Sequence, residues 1–193
     1  MSGSPADRLP GLPAWAMVTP RRVEHLALVV QVLERWAAER GVAPDEAARW
    51  RRAALLHDAL RDAPDEVLAR FGPPPENWPR AIWPGPAAAV AAEREGERDR
   101  GVLDAVRYHS LGYAGWDDAG KFLFLADALE PGRKHARALL DQLAGRAARE
   151  PDAVLRHVAA LKLRWLAHIE GPIPRETWEF WNSLVADASS SSR

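Results

Sequence analysis

The stretch RAALLHDALRD, residues 52–62, decides the fold, because a histidine and an aspartate stand side by side within a run of alanine and leucine. This composition predicts a buried helix. Burying the imidazole of His57 or the carboxylate of Asp58 without a partner costs on the order of several kcal/mol. A divalent cation removes that cost, since it binds a neutral imidazole nitrogen and an ionised carboxylate together. The dipeptide therefore predicts a metal site with further ligands elsewhere in the chain.

Further candidate ligands lie on other predicted helices. His25 is on the first helix, His109 is near the end of a later one, and Asp127 ends the apolar segment FLFLAD, residues 122–127. For each residue alone, a core position or a helix cap is the more common explanation. The combination favours a metal site, because ligands from several packed helices are typical of metal sites in the core of a helical bundle.

The composition restricts the class of protein. The chain has 193 residues, 47% of them hydrophobic and 27% charged, which is typical of one soluble globular domain. The net charge of -1 gives no field that attracts nucleic acid or an anionic membrane, and the absence of cysteine excludes disulfides and thiolate metal sites. Because no leader peptide and no apolar run of about 18 residues is present, we expect a cytoplasmic protein without a membrane or nucleic-acid partner.

The pattern along the chain is helical, and strand signals are missing. We expect an all-α, single-domain helical bundle at residues 19–188, after a flexible N-terminal segment at 1–18 and before a disordered tail at 189–193. A proline-rich stretch at residues 72–86 interrupts the helices. The predicted helices run from Pro20 to Gly41 with Thr19 as N-cap, and over about Pro44–Arg61, Pro64–Phe71, Pro86–Glu95, Arg98–Ser110, Asp117–Glu130, Lys134–Arg149, Asp152–Ile169 and Arg175–Ala188.

The sequence resembles a known family over nearly its whole length. The order of His25, His57-Asp58 and Asp127 resembles the HD-domain metal-dependent phosphohydrolases, and in particular the symmetrical bis(5'-nucleosyl)-tetraphosphatases of the YqeK type. This likeness implies a bundle of the HD-domain type. The segments that carry the resemblance are RRVEH (21–25), RAALLHDALRD (52–62), VLDAVRYHSLG (102–112), KFLFLADALEPGR (121–133) and IPRETWEFWNSL (173–184).

The resemblance implies an activity and a set of metal ligands. The activity is hydrolysis of diadenosine tetraphosphate and related dinucleotides at the middle of the phosphate chain by metal-activated water, which gives two nucleoside diphosphates. The implied cofactor is iron, with manganese or another divalent ion as alternatives. The first metal would be held by His25, His57, Asp58 and Asp127. Asp58 would bridge to a second metal, held by His109 and by a histidine in a Trp-His-x-Pro segment.

The chain departs from the family pattern at that last histidine. The corresponding stretch is IWPGPA, residues 82–87, so Pro84 stands where the histidine is expected. Proline offers no side-chain ligand, and the chain between Asp58 and His109 contains no histidine. We therefore expect one bound ion rather than two, and an activity that is reduced by the loss of this ligand.

Several residues are candidates for contacts with the substrate. Asp58 and Arg61 are the catalytic candidates, since Arg61 follows the dipeptide by about one turn and a guanidinium makes a forked contact with phosphate. Arg22 and Arg133 are further phosphate-contact candidates, although Arg133 fits a role at a helix C-terminus equally well. Trp83 is a candidate for stacking on a base, with packing as the more common role.

Two other functions remain open at this point. Because of Pro84, the chain is also compatible with a catalytically weakened or non-catalytic HD-domain protein that only binds nucleotides. The four ligands of the first metal also suit a mononuclear nucleotidase that acts on nucleoside monophosphates. The partner in each case is a small nucleotide, and a homodimer is compatible with a sequence that does not fix the oligomeric state.

Overall fold

The structure is a computed structural model, which describes residues 9–74, 76, 78–132, 136–168 and 172–190. These residues form α-helices and two short 3-10 turns, and none of them forms a strand, which confirms the predicted all-α class. The helices are α1 (Pro20–Arg40), α2 (Pro44–Leu56), α3 (Asp65–Leu68), α4 (Pro84–Arg94), α5 (Arg100–Tyr108), α6 (Asp118–Leu129), α7 (Arg137–Ala147), α8 (Pro151–His168) and α9 (Arg175–Ser190).

Helix α1 has the ends that its sequence predicts. The Thr19 hydroxyl accepts a hydrogen bond from the Arg22 N–H, and Pro20 occupies the first turn, where its missing N–H is tolerated. Gly41 ends the helix in the left-handed conformation, with a φ of 63°. An apolar stripe at helical spacing is buried in the bundle and consists of Val23, Leu26, Val30 and Leu33.

Several helix boundaries differ from the prediction, and two of them lie next to His57 and at Pro84. Helix α2 ends at Leu56 instead of Arg61, because the chain then tightens into successive turns, such as that from the Arg61 N–H to the Asp58 carbonyl. Helix α4 begins at Pro84, two residues before the predicted start. Proline fits this first helical position, since the N–H that it lacks would have no partner within the helix.

Helix α2 packs against α1, α5 and α6 and thereby places its C-terminal end in the middle of the bundle. Its Trp50 is buried and stacks on Phe122 of α6, with the two ring centroids 4.4 Å apart. Trp36 of α1 meets the same ring edge-on at 6.1 Å. Both tryptophans are therefore packed in the core.

Helix α9 holds the loop that follows α5. Its Phe180 is buried against Trp116 and Phe124. Gly112 in this loop has a φ of 91°, and a Cβ atom there would lie 2.3 Å from the Phe180 ring. Glycine is therefore required at this position both by backbone conformation and by space.

The folded unit extends further at both ends than predicted. In the expected flexible segment 1–18, Leu9 and Leu12 are buried and the Met17 N–H donates to the Ala59 carbonyl at 2.8 Å. The structure therefore corrects the prediction for residues 9–18, since their apolar side chains pack against the rest of the protein. Residues 1–8 lie outside the described part. Helix α9 likewise continues to Ser190, beyond the predicted start of the tail. Within the described residues, no helix has the length and apolar character needed to cross a membrane.

Candidate metal centre

The ends of α1, α2, α5 and α6 bring the predicted ligands together. His25 lies on α1, while His57 and Asp58 follow directly after α2. The His25 Nε2 atom is 3.4 Å from His57 Nε2 and 3.8 Å from Asp58 Oδ2. One ligand atom from each of these three residues lies within 4.8 Å of the others, a spacing that suits a single bound ion.

The two remaining predicted ligands join the same cluster. Asp127 of α6 places its Oδ1 atom 3.3 Å from His25 Nε2, and His109, at the C-terminal end of α5, places its Nε2 atom 3.5 Å from Asp58 Oδ1. Asp58 therefore directs one oxygen to each side, with Oδ2 towards His25 and Oδ1 towards His109. This is the arrangement expected of a carboxylate that bridges two cation positions.

Hydrogen bonds to the backbone orient two of the imidazoles. The Nδ1–H of His57 donates to the Ala54 carbonyl at 2.7 Å, and that of His109 donates to the Val106 carbonyl at 2.8 Å. Because a carbonyl only accepts, each ring carries its proton on Nδ1 and leaves the Nε2 lone pair for a ligand. Both contacts span three residues, so the helical backbone itself fixes the imidazoles.

A buried carboxylate orients the third imidazole. Glu130, which is 4% exposed, places its Oε1 atom 3.4 Å from His25 Nδ1. Metal-binding histidines commonly have such a carboxylate on the ring nitrogen that faces away from the ion. Glu130 lies in the segment KFLFLADALEPGR but was not a predicted site residue. Its contact with His25, 105 positions away, cannot be predicted from the residues around it.

The protonation states of the cluster also suit a cation. Complete burial lowers the pKa of His57 to about 4, so the ring is neutral at physiological pH. Burial raises the pKa of Asp58, but its interactions with His57 and His109 outweigh this effect and hold the pKa of the carboxyl below its usual range. Neutral imidazoles and an ionised carboxylate are the forms that bind a metal. The donor set thus fits a divalent ion on geometric and electrostatic grounds.

Two of the predicted phosphate-contact arginines lie beside the cluster. The Arg22 Nη1 atom donates to Asp58 Oδ2 at 2.6 Å, and Arg61 donates to the Ala81 carbonyl. Both side chains line a cavity of about 540 Å³ that also reaches Asp58, His109 and Asp127. The third arginine, Arg133, lies outside the described residues.

The structure favours the packing role for Trp83. Its indole is 6% exposed within the hydrophobic core, and the Arg80 guanidinium lies 5.4 Å from the ring centroid. The adjacent Pro84 is buried at the start of α4. A Cβ atom on Gly85 would lie 3.1 Å from His109 Cε1, so this end of α4 is in contact with the His109 side of the cluster.

Some residues at the cavity were not predicted from the sequence. The Ser110 hydroxyl lies 2.9 Å from His109 Nε2, and Lys162 and Trp165 of α8 form part of the cavity wall. The only feature of the sequence that pointed to Ser110 as a site residue was its position next to the predicted ligand His109. The apolar spacing of α8 is the same as that of a helix packed in the core, so nothing distinguished Trp165.

The family to which the chain belongs follows from its sequence. The family model described as HD domain matches residues 22–132, a range that contains all five candidate ligands. Since this range covers more than half of the chain, the protein belongs to the HD domain family.

Two individual proteins are similar to the chain. The symmetrical bis(5'-nucleosyl)-tetraphosphatase of Bacillus subtilis (strain 168) is 34% identical over 88 residues, which cover 42% of this chain and 47% of that protein. The match therefore spans about half the length of this relative. A crystal structure of a predicted HD superfamily hydrolase involved in NAD metabolism from Clostridium acetobutylicum superposes with a TM-score of 0.73 at 21% identity, covering 95% of this chain and 96% of that one. At this identity, the superposition shows a shared fold.

Proposed function

We propose that the chain is a metal-dependent phosphohydrolase that cleaves dinucleoside polyphosphates symmetrically, with diadenosine tetraphosphate as the representative substrate. The observation that carries the proposal is a cluster of three imidazoles and two carboxylates, with Asp58 at its centre, beside a cavity lined by two arginines. The partial similarity to a symmetrical tetraphosphatase supports this choice of substrate.

His25, His57, Asp58 and Asp127 would hold the ion, with iron as the expected metal and manganese as an alternative. When bound, a divalent cation of this kind lowers the pKa of water and withdraws charge from a phosphoryl oxygen. The carbonyls that accept from the imidazoles, together with Glu130, keep the ligands in one orientation. The protein thereby avoids reorganising these groups during the reaction.

The chain's own cations would neutralise the phosphates. Arg22 donates to the Asp58 carboxylate, and both Arg22 and Arg61 line the cavity. Guanidinium groups make paired hydrogen bonds with phosphate oxygens and remain charged throughout. We assign the same role to Arg133 from the resemblance alone. In the overall reaction, one water adds to a central phosphorus atom, the bridging P–O bond breaks, and two nucleoside diphosphates leave.

We further propose that one ion is bound tightly, because Pro84 supplies no ligand on the His109 side. The substitution Pro84→His tests this directly, since this end of α4 is in contact with His109. We expect metal content to rise from about one to about two ions per chain, with activity rising in parallel. Pro84→Ala is the matched control and should stay at about one. Equal metal content in Pro84→His and Pro84→Ala would contradict the account of Pro84 as a missing ligand.

The proposed reaction is tested with purified protein loaded with iron or manganese. Diadenosine tetraphosphate should give only ADP, two molecules for each substrate molecule. Release of inorganic phosphate from nucleoside monophosphates, without cleavage of the dinucleotide, would identify a mononuclear nucleotidase instead. Nucleotide binding without any turnover would identify a non-catalytic binding protein. This outcome is considered because Pro84 stands where the family has a histidine ligand.

A further inference from the structure

One face of α8 forms part of the cavity wall. Val158, Leu161, Lys162 and Trp165 all line the cavity. Their spacing of three, four and seven residues places them on the same side of the helix. The wall is therefore continuous, and it consists of two aliphatic side chains, one cation and one indole.

Trp165 differs from the core tryptophans in its exposure. Its side chain is 46% exposed, whereas Trp36 and Trp50 are 0% and 1% exposed. An exposed indole on the wall of a cavity leaves a flat apolar face on which an aromatic ligand can stack. The Lys162 Nζ atom lies 4.9 Å from the Trp165 ring centroid, a cation–π contact that holds the indole against the wall and adds positive charge there.

The cavity lining thus contains two chemically different groups of residues. The residues from the cluster, Arg22, Asp58 and His109, are charged or polar, whereas those from α8 are mostly apolar and include the indole. Its volume of about 540 Å³ lies within the usual range for small-ligand sites. A nucleotide has the same division, since its phosphates are charged and its base is flat, largely apolar and able to stack on an aromatic ring.

We propose that the α8 wall is the base-binding part of the site, in which one nucleobase of the substrate stacks on Trp165. Lys162 covers one face of the indole, so the base takes the opposite face. This inference rests on the proposed function, because it assumes that the phosphates lie beside the cluster. It assigns to Trp165 a specificity role that distinguishes nucleotides from phosphate chains that lack a base.

The test measures binding and does not require turnover. The affinities of ADP and of inorganic pyrophosphate for the manganese-loaded protein are compared by calorimetry in the wild type, Trp165→Leu and Trp165→Phe. We expect Trp165→Leu to weaken ADP binding about 10-fold or more while pyrophosphate binding stays the same. Trp165→Phe should keep most of the ADP affinity, because the phenyl ring still stacks.

The chain offers a matched control in Trp178 of α9. It is 47% exposed, almost the same as Trp165, and it is not among the described residues that line the cavity. Trp178→Leu should leave both affinities unchanged. The proposal is overturned if Trp165→Leu binds ADP like the wild type, or if it loses ADP and pyrophosphate binding equally. Absence of ADP binding by the wild type would also overturn it. A protein that binds ADP through Trp165 but hydrolyses no dinucleotide would refute the proposed reaction alone.

Discussion

Two polar clusters hold the same three helices, α2, α5 and α6, at opposite ends. At one end, Arg49 of α2 donates to Asp99 at 2.6 Å and to Asp117 at 2.7 Å, and also pairs with Glu46. Asp99 and Asp117 are the N-caps of α5 and α6, so a single guanidinium joins two helix starts. At the other end lies the cluster around Asp58, to which α1 adds His25.

The difference between the clusters separates structural from functional groups. The Arg49 cluster is partly exposed, and it places a cation among carboxylates, so it needs no ligand to be stable. The Asp58 cluster has His57, Asp58 and His109 buried, and the Nε2 atoms of His25 and His57 lie 3.4 Å apart. Two ring nitrogens at this distance can share a proton or bind one cation together. Substitutions at the two ends should therefore affect different properties of the protein.

The largest effect is expected for Asp58→Asn, which removes the charge of the central carboxylate but keeps its shape. Because an amide is a poor ligand for a divalent ion, bound metal and turnover of diadenosine tetraphosphate should both fall. The loss in turnover should exceed the roughly 10- to 100-fold typical of removing an outer-shell partner. Metal content is measured by elemental analysis, and the folded state is checked by cooperative thermal unfolding.

Asp104→Asn is the matched control for this substitution. Asp104 lies on α5, the same helix that leads to His109, and it is half-buried but not among the described residues that line the cavity. Its metal content and turnover should match those of the wild type. Wild-type metal content in Asp58→Asn would show that the convergence of side chains on Asp58 is not a metal site.

A smaller effect, on stability alone, is expected for Arg49→Met. The substitution keeps much of the aliphatic stem and leaves three carboxylates without their shared partner. We expect a loss of about 2 kcal/mol in the free energy of unfolding, after allowance for partial exposure. Turnover per folded molecule should stay the same. Denaturant unfolding measures the first quantity, and an assay corrected for the folded fraction measures the second.

Arg146→Met provides the comparison for this prediction. Arg146 also pairs with a carboxylate, that of Glu150, but both side chains are largely exposed on α7 and the segment after it. Exposed pairs of this kind contribute little, so this variant should unfold like the wild type. If Arg49→Met loses no more stability than Arg146→Met, the Arg49 cluster does not join the helices as described.

The cluster residues could be predicted from the sequence because their local surroundings are apolar. His57, Asp58 and Asp127 each stand within runs of alanine, leucine and phenylalanine, where an unpaired polar group is costly. The contact of His25 with Glu130 had no such signal, because it depends on how α1 packs against the end of α6.

Elsewhere in the chain, too, features encoded by neighbouring residues could be predicted, whereas features that depend on tertiary structure could not. The ends of α1 are encoded locally by Thr19 and Gly41, and both are as predicted. The end of α2 at Leu56 has neither glycine nor proline to mark it, and tertiary packing tightens the chain there into turns. Exposure of Trp165 likewise depends on the open cavity in front of α8, which a periodic pattern does not encode.

The smallest effect concerns the pH dependence of the Arg49 cluster. Hydrogen bonds from Arg49 lower the pKa of Asp99 from 3.8 to about 2 in the folded protein. The stabilisation is therefore complete well above pH 3.8 and is lost as the pH falls towards 2, because the unfolded chain takes up the proton first. Asp99→Asn removes this charge and keeps a good N-cap for α5. The variant should be less stable than the wild type by about 1 kcal/mol at about pH 6, and the difference should shrink by about pH 3.

Denaturant unfolding of the two proteins at both pH values measures this change. The direction of the change is decisive. If the difference in the free energy of unfolding between the two proteins grows on acidification, the pKa of Asp99 is raised on folding. Metal content is kept equal by working with metal-free protein, because protonation of the histidines would otherwise release the ion and obscure the effect. A difference that is independent of pH would mean that ionisation of Asp99 does not stabilise the folded protein. The helix starts would then be held by their caps, and Arg49 would contribute no pH-dependent stability through Asp99.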